Sequence, residues 1–417
     1  MPRSFDENLA LYARLIVSQG LGLAHGQELI VVAEIDQAAL VRKIAEEAYR
    51  AGAKNVEVLW SDPQLSLIRF REGSAEAIAY APAWIIDGTA RAHRENAARL
   101  GISSSDPGLL ASVDPARVAT SSRAQAQARK EIGNLIAGSE VNWCLVGAAS
   151  EGWAKKVFPN ETAEQAVSKL WECIFFTSRV LEDDPIAAWE AHKKNVAQRK
   201  EWLNGLKLDA LHFKGPGTDL RVGLVPNHLW VGVESTMKNG VTCSPNIPTE
   251  EIFTMPHRLR VDGTVSSSKP LSLRGQIVDG ISVEFKDGLL VGGRAEKGDE
   301  TLQRLLATDE GAKRLGEVAL VPKSSKVAQT RVLFCNSLYD ENAASHIALG
   351  ASFAENLQGY DDLSAQERLA AGANDSLIHI DWMIGSGEMN VAGIQSGGAV
   401  VELMQNGEWV DMPELKA

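Results

Sequence analysis

Between residues 28 and 62 the hydrophobic period of the chain changes twice, which commits its first part to one class of fold. ELIVVAEI (28–35) is a continuous apolar run, as expected of a strand buried on both faces. AALVRKIAEEAYRAGA (38–53) then carries Leu40, Ile44, Ala45 and Ala48 at helical spacing and stops at Gly52. NVEVLWSD (55–62) alternates as a second strand, closing a βαβ unit. AWIIDG (83–88) and VNWCLVGAA (141–149) read as further strands, with a helix over 115–137 between them. Residues 1–184 are therefore expected to form an α/β domain, a parallel sheet with flanking helices.

The texture changes after PIAAWEAHKKNVAQRKEWLN, a polar helix opened by Pro185 and ended near Gly205, which reads as a linker over 185–205. Beyond it come short alternating strands separated by Gly, Asn and Pro, among them LDALHFKG, TDLRVGL, HLWVGVE and EVALVP. Asp287-Gly288 between ISVEF and LLVGG is a hairpin signal. Residues 206–417 are expected to be a mixed or antiparallel α+β domain, and every candidate ligand described below lies in it.

A chain of 417 residues is long enough for two cores. Its net charge of −12 and lack of any basic block argue against a nucleic-acid partner, because phosphate binding rests on clustered Lys and Arg. No window approaches the roughly 18 apolar residues of a membrane span. The first twenty residues lack the apolar core of a secretory signal. Cys144, Cys173, Cys243 and Cys335 are scattered without CxxC spacing, so they read as reduced thiols in a cytoplasmic protein. Gly20, Gly22 and Gly26 precede the first strand instead of following it, which gives no phosphate-binding fingerprint. Ser150 lacks the glycine of a nucleophile elbow and reads as a turn residue.

The chemistry concentrates elsewhere. NIPTEEIFTMP (246–256) sets Glu250 and Glu251 among Ile247, Pro248, Ile252, Phe253 and Pro256, and carboxylates in such surroundings require a cation or a proton. In LIHIDWMI, strand alternation turns His379 and Asp381 to one face and Ile378, Ile380 and Trp382 to the other. That pattern suits a strand lining a site, or an Asp that merely orients a surface histidine. Glu317 in GEVALVP shares its face with Ala319 and Val321, so it sits near a core as a ligand, a helix cap or an arginine partner. His346 falls in what reads as a short helix, capped by Asp340 and ended by Gly350, as a packing residue or a ligand.

Taken in order, NIPTEEIFTMP, GTVSSSKPL, LGEVALVP, DENAASHIALG and NDSLIHIDWMIGS closely resemble the motifs of the thermophilic-type metalloaminopeptidases, the M29 family. The resemblance spans 246–386 and is less specific in the N-terminal half. It implies a pair of divalent metals held by Glu251, Glu317, His346, His379 and Asp381, an aminopeptidase acting on peptides, and a homodimer. Five ligands serve two metals only if carboxylates bridge and water fills the remaining positions. Oxygen and nitrogen donors without cysteine favour zinc, cobalt, manganese or magnesium. Glu250, next to a ligand but not spent on metal, becomes the candidate general base, provided that the TEE segment is a loop. One position departs from the pattern: Phe353 stands where the family usually has a tyrosine, so that hydroxyl's role would be absent or fall to a group such as Lys269 or Arg258. The alternative is a non-haem iron dihydroxypyridine dioxygenase with His346, His379 and Asp381 as its facial triad, which would leave Glu250, Glu251 and Glu317 without a task.

Overall fold

The apolar run at 28–35 forms strand β1, Glu28–Glu34, and the alternating stretch forms β2, Asn55–Ser61, joined in parallel register through the helix Ala38–Arg50. The computed structural model describes residues 3–273 and 276–412. The helix buries Leu40, Ile44 and Ala48 of the expected stripe, with Val41 buried in place of Ala45, which is only half-buried. Gly52 behind it adopts φ +92°, where an added Cβ would lie 2.4 Å from the His25 ring. β3 (Ala98–Ser103) and β4 (Trp143–Gly147) complete a parallel run in the order β2-β1-β3-β4, and Asn246–Ile247 adds in parallel beside β4.

Two of the expected strands fail in instructive ways. AWIIDG (83–88) is not a strand but the start of the helix Ala83–Arg94, which buries Ile86, Ala90 and His93. That stripe emerges only when the helix is followed past Gly88, so a six-residue window could not tell the two periods apart. HLWVGVE (228–234) forms no strand either, only single bridges at His228 and Val231. The backbone N–H and C=O of Trp230 are bound by the Asn204 side chain at 2.9 and 3.2 Å, which replaces a neighbouring strand.

The chain divides into two compact units, Met1–Ala191 with Glu234–Pro248, and His192–Val233 with Thr249–Ala417. In the second, an antiparallel sheet of eight strands runs in the order Leu289–Arg294, Ser282–Lys286, Pro256–Ser266, Thr218–Leu224, Leu208–Gly215, Asn390–Gln395, Val400–Gln405 and Glu408–Trp409. The hairpin forms at Asp287-Gly288, with φ of +51° and +75°. A Cβ at Gly288 would lie 2.0 Å from the Arg258 carbonyl oxygen, so only glycine fits.

A smaller antiparallel sheet follows the order β5 (Ile252–Thr254), β6 (Leu315–Leu320), β7 (His346–Gly350) and β8 (His379–Met383). His346 therefore begins a strand, not a helix. Asp340 caps backward instead of forward, accepting from the backbone N–H of Phe334 and Asn336 at 2.8 and 3.0 Å. The helical turns at Ser337–Asp340 and Glu341–Ala343 end before it, and HIALG is buried at all five positions, as a central strand requires.

Burial pushes the Asp340 carboxyl up to about 6, against those two N–H donors and the Lys269 charge that favour ionisation. Its folded-state pKa thus lies above the unfolded value of about 3.9. The stabilisation it gives is fully present below the unfolded value and is lost as pH rises through about 6. Between about pH 4 and pH 7, wild type should lose roughly 2 to 3 kcal/mol relative to Asp340→Asn in urea unfolding. A pH-independent difference would show that Asp340 titrates normally.

Candidate metal centre

The register of the small sheet gathers residues that are far apart in sequence. Glu317 pairs with Ala348, which pairs with Asp381; Gly350 pairs with His379; His346 pairs with Ala319 and Met383. Directly opposed residues share a face, so Glu317, His346, His379 and Asp381 all project from one side. The fifth residue arrives from the loop before β5. Thr249, Glu250 and Glu251 lie outside any strand, as a role for Glu250 required.

The side chains converge closely. His346 Nε2 lies 3.0 Å from Glu251 Oε2 and 3.4 Å from Glu317 Oε1. His379 Nε2 lies 3.5 Å from Glu317 Oε2 and 3.2 Å from Asp381 Oδ1. Glu317 thus turns one oxygen to each histidine. Two groups with metal-ligand spacing result, Glu251-Glu317-His346 and Glu317-His379-Asp381, with Glu317 common to both.

The tautomers reveal what this cluster can hold. His346 Nδ1 lies 3.2 Å from the Ala344 carbonyl oxygen and His379 Nδ1 lies 2.7 Å from that of Ala351. A carbonyl only accepts, so each Nδ1 carries a hydrogen and a neutral ring turns the Nε2 lone pair toward carboxylate oxygens. Lone pair facing lone pair is repulsive unless a cation or proton lies between. Glu251 Oε2 and Asp381 Oδ1 are buried, and neither makes a hydrogen bond of acceptable geometry despite these short approaches. The donor set fits divalent cations, and the backbone bonds at Nδ1 aim the rings as metal-bound histidines are commonly aimed.

Without a cation the cluster draws in protons. Burial pulls His379 down, but Asp381 and Glu317 outweigh it and hold its imidazolium up to about 11. His346 is likewise held well above its ordinary value by Glu251 and Glu317, against its burial. Burial raises Glu251, whereas the His379 charge overcomes burial and lowers Asp381.

Sequence reasoning missed the groups that hold the loop. The Glu250 backbone N–H donates to Asn342 Oδ1 at 2.6 Å, and Asn342 Nδ2 donates to the Leu338 carbonyl at 3.0 Å. His192 Nε2 donates to the Thr249 carbonyl at 2.8 Å. Asn342 lies within the DENAASH motif, but its task depends on a partner 92 positions away. Glu341 beside it has its carboxyl raised well above the usual range by burial and by the charges of Glu251 and Asp381. Phe353 sets its ring centroid 4.3 Å from that of His379. Lys269 lines a cavity of about 310 Å³ together with Lys323.

The profile of the thermophilic metalloprotease family M29 matches residues 5–409. The chain belongs to this family. Aminopeptidase T of Thermus thermophilus is 48% identical over 98% of this chain and 99% of its own length. The solved structure of wild-type AmpT from Thermus thermophilus superposes with a TM-score of 0.93 at 47% identity, covering 98% of this chain and 100% of that one. M29 membership makes the protein a metal-dependent peptidase and agrees with an α/β unit joined to a separate β-rich unit. The 2,5-dihydroxypyridine dioxygenase of Pseudomonas putida matches with a TM-score of 0.53 at 13% identity over 99% of both chains, a likeness of fold alone. The grouping of ligand atoms also sets Glu251 and Glu317 inside the cluster, where an iron site of two histidines and one carboxylate has no use for them.

In this M29 chain, Asn342→Ala would leave the Glu250 N–H and the Leu338 carbonyl without their buried partner. A stability loss of about 1 to 3 kcal/mol is expected. Activity should fall with it, because the TEE loop loses its anchor. Asn342→Asp, which keeps the acceptor, should recover part of both in thermal unfolding and kinetic assays.

Proposed function

We propose that this chain is a dinuclear metalloaminopeptidase that releases N-terminal residues from peptides. The reading rests above all on Glu317, whose two oxygens face different histidines as a bridging carboxylate would. Glu251, Glu317 and His346 would hold one ion, and Glu317, His379 and Asp381 the other. Zinc, cobalt, manganese and magnesium all suit this set. Bound divalent ions lower the pKa of water and polarise a carbonyl. Three carboxylates against two such ions leave about one net positive charge to steady developing negative charge.

The chain's own residues supply the rest. The Ala344 and Ala351 carbonyls hold the imidazoles in one tautomer and one orientation. Glu250, buried in a loop anchored by Asn342 and His192, accepts the proton of the attacking water and returns it to the leaving amine. The C–N bond breaks, a C–O bond forms, and the products are an amino acid and a shortened peptide. Among the described residues no helix is long and apolar enough to cross a membrane. A cytoplasmic homodimer is the form we propose, to be checked by light scattering and cell fractionation.

Elemental analysis of purified protein, with assays on aminoacyl-nitroanilides and dihydroxypyridines in air and under nitrogen, tests the reading. Two ions per chain with oxygen-independent release of nitroaniline is the expected result. One iron per chain with oxygen consumption would overturn it.

A further inference from the structure

Phe353 stands out at the cluster's margin because it is 41% exposed while touching a residue of the buried centre. Its ring meets the His379 imidazole at 4.3 Å between centroids and the Phe253 ring edge-on at 6.2 Å. Phe253 belongs to β5 and pairs with Ala319, which pairs with His346, so it projects from the ligand-bearing face. The two rings are held together through the backbone. Asn356 Nδ2 donates to the Phe253 carbonyl, and the Asn356 N–H donates to that of Phe353, both at 3.3 Å. Beside a centre built of carboxylates and imidazoles, this chain thus presents a fixed apolar wall.

Resting on the aminopeptidase reading, we infer that Phe353 and Phe253 form the subsite for the side chain of the substrate's N-terminal residue, and that the preferred residue is large and apolar. A substrate with its scissile carbonyl at the cluster must direct that side chain to some neighbouring surface. On the His379 side that surface carries the Phe353 and Phe253 rings. An apolar side chain laid there removes the exposed face of Phe353 from water, and the fixed rings lose little freedom in receiving it. A charged side chain would lose hydration against these rings. Phe353 carries no hydroxyl, so its ring offers the substrate carbon alone.

The test compares affinities of metal-loaded protein for leucine hydroxamate and glycine hydroxamate by calorimetry, with kcat/KM on leucyl- and glycyl-nitroanilide as a second readout. Wild type should favour the leucine compound by about tenfold or more, in the range expected for a few buried methylenes. Phe353→Ala should bring the ratio close to one, with metal content and glycine hydroxamate affinity nearly unchanged, and Phe353→Leu should restore much of it. An unchanged ratio in Phe353→Ala overturns the subsite. An equal loss for both hydroxamates also overturns it, since the ring would then serve only to support His379. A wild type that binds neither hydroxamate and cleaves neither nitroanilide overturns the aminopeptidase reading together with the subsite.

Discussion

Glu317→Ala is expected to strip both halves of the centre in one step. Glu317 is the only residue common to the two ligand groups, with Oε1 3.4 Å from His346 Nε2 and Oε2 3.5 Å from His379 Nε2. Each half would be left with one carboxylate and one histidine, too few to hold an ion in a hydrolytic site. Stabilisation of developing charge by metal is worth several kcal/mol, and each 1.4 kcal/mol is tenfold, so kcat/KM should fall on the order of 10⁴-fold. Elemental analysis should find fewer than one ion per chain. The fold should survive, because three like-charged carboxylates, Glu251, Glu317 and Asp381, become two. Retention of one full equivalent of metal would show that the two sites are independent and that Glu317 does not bridge them.

Glu250→Gln should separate chemistry from metal binding. The amide matches the carboxylate in size but cannot take a proton from water, while the Glu250 N–H bond to Asn342 belongs to the backbone and is retained. A loss of about 10² to 10⁴-fold in kcat is expected for the removal of a general base, with metal content and melting temperature near wild type. Glu251→Ala should behave differently, losing metal and activity together. Full activity in Glu250→Gln would remove Glu250 from the mechanism and leave proton transfer to another acid, of which Glu341 is the nearest in character.

Legibility differed from residue to residue. The common face of His379 and Asp381 could be read from LIHIDWMI, because strand alternation is local and needs no partner. His346 was misread as helical because Asp340 supplies a cap signal whose hydrogen bonds run backward to Phe334 and Asn336. AWIIDG was misread because its helical stripe is completed only by Ala90 and His93 beyond the window. Asn342 carried no local sign of its task, since the N–H it accepts from belongs to Glu250 in a distant loop.

The sequence by itself determined the βαβ beginning, the β-rich second part and the acids and imidazoles available for chemistry, because periodicity and residue type are properties of short segments. Which of those residues meet was decided by tertiary structure. Only the pairing of β6, β7 and β8 turns Glu317, His346, His379 and Asp381 to one face, and only the loop held by Asn342 and His192 brings Glu251 within 3.0 Å of His346. The physical reason is register. A shift of one residue between strands would send half of these side chains to the opposite face, and register is set by the packing of the whole sheet, which no single segment encodes.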